Sequence, residues 1–234
     1  MTFALIALAF LLAAVVQGSA GLGFALIVAP ILSATRPELV PATVIAAGIA
    51  LSLLMVQREH TYVDLRGMQW VVVGLMPGTV VGTALLAAAS TRTLQLLVAI
   101  SVLVGVIVNL ARPVMAAGRG TLVGAGIVAG IFGTTASIAG PPVAIVYADR
   151  PGATLRATLS VFFLVSGALS FTGAWVAGAV HGRALLWAVA LLPPIAVGFL
   201  LSQPLARRID GAAVRASVLV VSTVAAVVLL VRAL

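Results

Sequence analysis

The chain has 234 residues, 63% of them hydrophobic and only 8% charged, with a mean hydropathy of +1.29. Soluble domains carry roughly 25% charged residues, so a water-facing globular fold is excluded and the solvent is a lipid bilayer. The formal charge is +8, every basic side chain is arginine, and cysteine is absent, which rules out disulfides, thiol catalysis and cysteine-based metal sites.

In chain order, apolar runs fall at 3–34, 39–56, 68–90, 94–110, 121–148, 157–180, 184–205 and 213–231. A span needs roughly 20 apolar residues, so six of these runs fit one crossing each, while 3–34 and 121–148 are longer. Residues 1–20 have the apolar core and small-residue end of a secretory signal. They lack a positive n-region and continue to Leu32, so they are read as structure. The arginines are scattered between the runs, a pattern of membrane orientation rather than of nucleic-acid binding. The expectation is an all-α polytopic integral membrane protein of eight hydrophobic runs and up to ten helices.

The chain repeats internally. At a shift of 115, Gly18 falls on Gly133 and Ala42-Thr43 on Ala157-Thr158; at a shift of 117, Trp70 falls on Trp187 and Pro77 on Pro194. Repetition at a fixed long period marks duplicated units. The halves are residues 1–112 and 119–234, joined across a seam between Arg112-Pro113 and Gly120 into one membrane domain. Each has a broken or re-entrant first segment followed by three spans.

If each long run crosses once, the halves share an orientation and the arginines divide almost evenly between the two sides. If each folds back at its break, the halves are inverted. Residues 3–16 and 21–34 would then each be about 21 Å long, short of a hydrocarbon core of about 30 Å. Arg58, Arg66, Arg112, Arg119, Arg150, Arg156, Arg207, Arg208 and Arg215 would share one side, against Arg36, Arg92, Arg183 and Arg232. By the positive-inside rule the first set is cytoplasmic, with both termini on the other side. Inverted repeats are the preferred reading.

The two breaks carry the chemistry. Ile131-Phe132-Gly133-Thr134-Thr135-Ala136-Ser137-Ile138-Ala139-Gly140-Pro141-Pro142 and Gln17-Gly18-Ser19-Ala20-Gly21-Leu22-Gly23 put hydroxyls, an amide, glycines and prolines inside apolar runs. Unsatisfied backbone at membrane depth is tolerated only where protein buries it or a watery cavity receives it. Inverted repeats with broken helices build transporter sites near the midplane, half-helix N-termini facing anionic groups. Gly140-Pro141-Pro142 suits the first turn of a returning helix. The alternative is close packing of small residues, common in membrane interiors. The candidate substrate-binding residues are Gln17, Gly18, Ser19, Gly21, Gly23, Gly133, Thr134, Thr135, Ser137, Gly140 and Pro141.

Other residues are read more plainly. Glu38, Glu59, Asp64, Asp149 and Asp210 lie at loops or span ends, so no carboxylate proton relay within a span is visible. Without lysine there is no Gly-x-x-x-x-Gly-Lys phosphate loop, so the chain is not itself a standard P-loop ATPase. Arg150 and Arg156 flank the second motif as anchors or as attractors of anions. Asn109 reads as an interhelical hydrogen bond, and Trp70 and Trp187 as interfacial anchors. His60 and His181 lie far apart without metal-ligand spacing, and neither a metal nor a cofactor is expected.

At this point the motifs resemble a known family. Gln17 to Leu26 with Pro30 downstream, and Gly133 to Ala144 followed by Arg156-Ala157-Thr158-Leu159, are similar to the TauE/SafE sulfite exporters. The resemblance covers essentially the whole chain. Family members often have Gly-Gly where this chain has Ala139-Gly140. The resemblance implies a multi-pass permease of the cytoplasmic (inner) membrane, exporting sulfite or an organosulfonate such as sulfoacetate. The expected partners are a small anionic substrate and the lipid bilayer, with no nucleic acid; oligomeric state is left open. An anion channel of the same architecture is the alternative, and an enzyme or assembly subunit a weaker one, since no intramembrane acid, histidine or cysteine offers catalysis.

Overall fold

A computed structural model describes residues 3–111, 115, 117–208 and 227. Among them the fold is helical: α1 (Phe3–Ala20), α2 (Phe24–Thr35), α3 (Ala42–Glu59), α4 (Leu65–Ala88), α5 (Thr91–Ala111), α6 (Arg119–Ala136), α7 (Gly140–Val146), α8 (Gly152–Val176), α9 (Gly182–Ala190) and α10 (Leu192–Arg208). The run 213–231 lies outside the described residues, as do Asp210, Arg112, Arg215, Arg232 and the side chain of Asn109.

Both long runs break where glycine, serine and threonine interrupt them. Gly21 and Gly23 take φ values of 88° and 128°, left-handed backbone that glycine adopts without strain. The Gly21 N–H bonds back to the Gln17 carbonyl at 2.8 Å, closing α1. In the second break Ser137 takes the left-handed position (φ 63°), and the Ser137 and Ile138 amides both bond the Phe132 carbonyl. The prolines of Gly140-Pro141-Pro142 then open α7 in its first turn, as their missing N–H predicts.

Each break turns the chain back. Phe3 at the start of α1 and Arg36 just past α2 both meet the Trp187 ring, at 5.5 and 5.9 Å. Arg119 at the start of α6 lies 4.9 Å from the Trp70 ring, and Tyr147 just past α7 reaches Asp64, one residue before α4. The limbs are less even than the sequence suggests. With 18 residues, α1 and α6 are each about 27 Å long, whereas α7 has seven and spans about 10 Å.

A second departure lies in the run 184–205, which divides at Leu191 into α9 and α10. Pro193 and Pro194 lack the N–H that would bond the preceding turn. Pro77, which falls on Pro194 at a shift of 117, leaves α4 unbroken.

Helix directions follow from the contacts. Along α4 and α6, Gly74 abuts Val123, Gly78 abuts Ile127 and Gly82 abuts Ile131, so the two run in the same direction. Gly18 against Ser202 and Gly198 against Leu11 set α1 and α10 in the same direction too. Helix α8 runs with α4, since Asp64 N–H donates to the Thr158 hydroxyl at one end and Gly173 meets Thr83 at the other. Helix α3 runs against α8, with Glu59 on Arg156 and Ile49 on Gly167.

The packing is inside-out relative to a soluble protein. Leu5, Leu8, Leu12, Val80, Ile107 and Leu186 are exposed, while Gln17, Thr43, Ser52, Thr134, Ser170 and Ser202 are buried. Five helical stretches are long and apolar enough to cross a membrane: Phe3–Ala20, Ala42–Tyr62, Leu65–Ala88, Gly152–Val176 and Gly182–Pro204. With lipid as apolar as the side chains, association depends on backbones approaching closely. At the α4–α6 crossing, Gly74 and Gly78 meet Gly126 and Gly130, and a Cβ at any of these would press into carbonyl or amide atoms of the other helix.

A methyl there cannot be absorbed by rotating a side chain. Gly126→Val is expected to lower the thermal midpoint of the detergent-purified protein by more than Gly124→Val, whose added Cβ meets nothing within 4 Å. The difference should reach the 1–3 kcal/mol typical of overpacking.

Candidate functional site

Between the two breaks, α3 and α8 enclose a cavity with about 50 Å³ of room for water centres. A single water needs roughly 10–15 Å³, so the space suits a few waters or one ion of four or five heavy atoms. Gln17, Phe24 and Ala25 contribute from the first break, and Gly133, Ser137 and Ala139 from the second. Val44, Ile45, Gly48, Ile49 and Ser52 of α3 face Phe163, Ser166, Gly167 and Ser170 of α8. No lining residue is charged.

Gln17 ties the first break to the cavity. It is 4% exposed, and its Oε1 accepts the Phe24 N–H at 3.1 Å, capping α2 across seven residues. Its Nε2 group makes no hydrogen bond to the described protein and remains for the cavity that Gln17 lines. The next amides of α2, on Ala25 and Leu26, are ones that a helix leaves without an intrahelical partner. Helix α2 has twelve residues and an aligned dipole behind that end, whereas α7 has seven and offers less.

The hydroxyls divide into spent and unspent. Ser52 donates to the Gly48 carbonyl at 2.7 Å, and Ser137 to the Pro41 carbonyl at 3.2 Å. Ser170 accepts from Thr134 at 3.2 Å and keeps its own proton. A serine hydroxyl rotates to suit its partners, so Ser52 and Ser137 can exchange a carbonyl for an anion.

The remaining candidates support the site from outside the cavity. Ser19 bonds back to the Val15 and Val16 carbonyls and Thr135 to that of Ile131. Thr134 is fully buried behind Ser170. Gly18 is pressed against Ser202, and its carbonyl accepts from Arg58. Gly21 lies on Arg156, Gly23 caps α2, Gly140 lies against Phe163, and Pro141 meets Gly105. Ala139 has an ordinary φ of −89°, so alanine costs no strain there, but it narrows the cavity it lines.

The α3 and α8 faces were missed in the sequence. Their signal is small and hydroxyl residues four apart, Gly48 with Ser52 and Ser166 with Ser170, which also reads as helix packing.

At the end where α4, α6 and α8 begin, Asp64 caps α4 by accepting the Gly67 N–H at 3.0 Å and receives the Tyr147 hydroxyl at 3.3 Å. Burial, and then the Asp64 carboxylate, push the Tyr147 phenol above its ordinary pKa, so it stays protonated as a donor.

A helical bilayer protein whose chain breaks converge on a small, uncharged cavity with a few polar groups belongs to the class of polytopic membrane transporters. The chain is a member of the sulfite exporter TauE/SafE family, whose model matches residues 6–229. No curated protein and no solved structure matches it.

Gln17→Leu keeps the side-chain bulk and removes the cap, leaving the buried Phe24 N–H without its acceptor. The expected loss is about 1–3 kcal/mol, read as a lower thermal midpoint in detergent. Ser19→Ala, which removes only a back-bond within α1, should change it far less.

Proposed function

We propose that the protein is a secondary transporter that exports a small oxyanion, sulfite before larger organosulfonates, across the cytoplasmic membrane. The observation that carries this reading is the cavity between the two breaks. It carries a few donors without full charges among mainly apolar neighbours, and its volume accommodates an ion of sulfite's four heavy atoms. Gln17 Nε2, the Ser170 hydroxyl and the Ala25 amide are the first ligands, joined by Ser52 and Ser137 when their hydroxyls rotate. Neutral donors hold an anion without trapping it, as release requires.

The halves 1–112 and 119–234 are inverted repeats in this reading, and it is supported by direction. Helix α1 runs against its counterpart α6, α3 against α8, and α4 against α10. An axis in the membrane plane makes every such pair antiparallel. Partner choice has the same symmetry, since α1 lies along α10 and α6 along α4. Arg58, Arg66, Arg119, Arg150 and Arg156 share the end where α4, α6 and α8 begin, while Arg36, Arg92 and Arg183 share the other. The first end is then cytoplasmic. Rocking of one set of helices against the other would expose the cavity to each side in turn. An anion leaving a negative interior gains about 2.3 kcal/mol per charge per 100 mV, so export needs no further motor.

Two measurements test this. Sulfite efflux from loaded proteoliposomes should saturate and should accelerate when the interior is made negative. Efflux equal to that from empty liposomes would sink the sulfite assignment, and non-saturating flux would favour a channel. Gly48 lines the cavity and an added Cβ there meets nothing within 4 Å. Gly48→Leu should therefore fill the cavity, leave the melting temperature at or above its original value, and cut efflux at least tenfold.

A further inference from the structure

At the arginine-rich end, three charged side chains from two helices, α3 and α8, meet beneath the first break. Glu59 Oε1 accepts from Arg58 Nη2 at 2.6 Å and Nε at 3.1 Å. Both Glu59 oxygens accept from Arg156 Nε at 3.2 Å. Arg58 also donates to Ser202 of α10 and to the Gly18 carbonyl, and the Arg156 stem lies on Gly21. The cluster thus bridges α3, α8, α10 and the end of α1. The other ion pair among the described residues, Arg36–Glu38, is looser at 3.7 Å and joins near neighbours only.

Its position relative to the cavity is fixed along two helices. Ser52 lines the cavity and Arg58 lies six residues further on α3; Phe163 lines it and Arg156 lies seven residues earlier on α8. At 1.5 Å per residue both distances are about 9–10 Å toward the same end. At a shift of 115, Arg156 corresponds to Pro41, whose carbonyl accepts the Ile45 N–H at 3.0 Å and the Ser137 hydroxyl at 3.2 Å, both neutral donors. Among the described residues, this cluster of two guanidiniums on one carboxylate occurs at one mouth only.

Two guanidiniums here share one carboxylate, an excess of one positive charge. Arg156 uses only its Nε; its Nη1 and Nη2 make no hydrogen bond to the described protein. The Glu59 side chain is 12% exposed, less than those of Arg58 and Arg156 at 21% and 25%. A carboxylate gripped by two guanidiniums is chemically what a small oxyanion would be in the same place, since planar forks suit carboxylate and other oxyanions alike.

We propose that Arg58 and Arg156 form an oxyanion-binding vestibule at this mouth, which Glu59 occupies and closes until a substrate anion takes its place. The inference rests on the transport reading above and adds to it a second anion site, outside the cavity and charged where the cavity is neutral. It also makes the anion its own key. Displacing Glu59 frees α3 from α8 and loosens Arg58 from Gly18, so the mouth opens where substrate has arrived.

The chain has no cysteine, so Ser52→Cys places a sole thiol of this 234-residue chain in the cavity wall. Its modification would be followed with methanethiosulfonate reagents carrying an ethylsulfonate or an ethyltrimethylammonium group. Methanesulfonate, which does not react with either, serves as the competing anion. Adding Glu59→Gln should accelerate the anionic reagent at least fivefold and the cationic one little, and methanesulfonate should slow it saturably. Adding Arg156→Gln as well should abolish both the acceleration and the protection.

Arg156→Gln alone, which retains the Arg58–Glu59 pair, should slow the anionic reagent and remove protection. It is the second test if Glu59→Gln folds poorly by gel filtration. Equal anionic rates with and without Glu59→Gln, or protection that survives loss of Arg156, would overturn the vestibule. Thiol modification reads the mouth whether or not sulfite crosses. Normal efflux by the protein with Ser52 intact, beside unchanged modification rates in the Ser52→Cys background, therefore refutes the vestibule alone; absent efflux with Ser52 intact, beside the expected modification, refutes the transport reading alone.

Discussion

Hydrocarbon offers a backbone no hydrogen bonds, and everything distinctive here follows from how two interrupted helices meet that demand. An unbroken helix satisfies itself. A break frees amides and carbonyls that must be paired by protein or received by a polar cavity. The first break is paired through Gln17, which reaches seven residues along the chain to the Phe24 amide, and through Arg58, which takes the Gly18 carbonyl. The second is paired through the Phe132 carbonyl and the Ser137–Pro41 bond. Gln17, Phe24 and Ala25 of the first break and Gly133, Ser137 and Ala139 of the second line the same small space between α3 and α8. The cavity is where the accounting of the two breaks is completed.

The same economy explains why the cavity lining is neutral. A guanidinium at that depth would need its own counterion or a large desolvation cost. Partial charges of amides and hydroxyls carry no such penalty. Full charge lies outside the cavity, as in the Arg58–Glu59–Arg156 cluster, where Glu59 already compensates part of it.

Much of this was legible in the sequence, and for identifiable reasons. The breaks stand out because glycine, serine, threonine and Gly-Pro-Pro are conspicuous inside apolar runs, and left-handed Gly21 and Gly23 are what such runs need in order to turn. Which hydroxyls face the cavity was not legible. Ser19, Thr134 and Thr135 look like ligands by type, but in a helix the carbonyl one turn back or a neighbouring hydroxyl claims them. Ser52 and Ser170 look like packing residues, yet tertiary placement turns them inward. The α9–α10 division was signalled by Pro193-Pro194, but Pro77 without a break in α4 warns that proline alone does not decide. Arg156 and Glu59 are 97 residues apart, and only the fold joins them.

The pairing of α1 with α10 has a consequence for assembly. Gly18 and Ser202 are in contact, yet 184 residues separate them. At roughly 5–20 residues per second, synthesis leaves α1 in the bilayer for about ten to forty seconds before its main partner emerges. During that interval Gln17 can cap α2 locally, because that bond spans only seven residues. The surface of α1 that will receive α10 has no such local substitute. Helix α1 is thus made long before it is housed, and the cap on its broken end is what lets it wait.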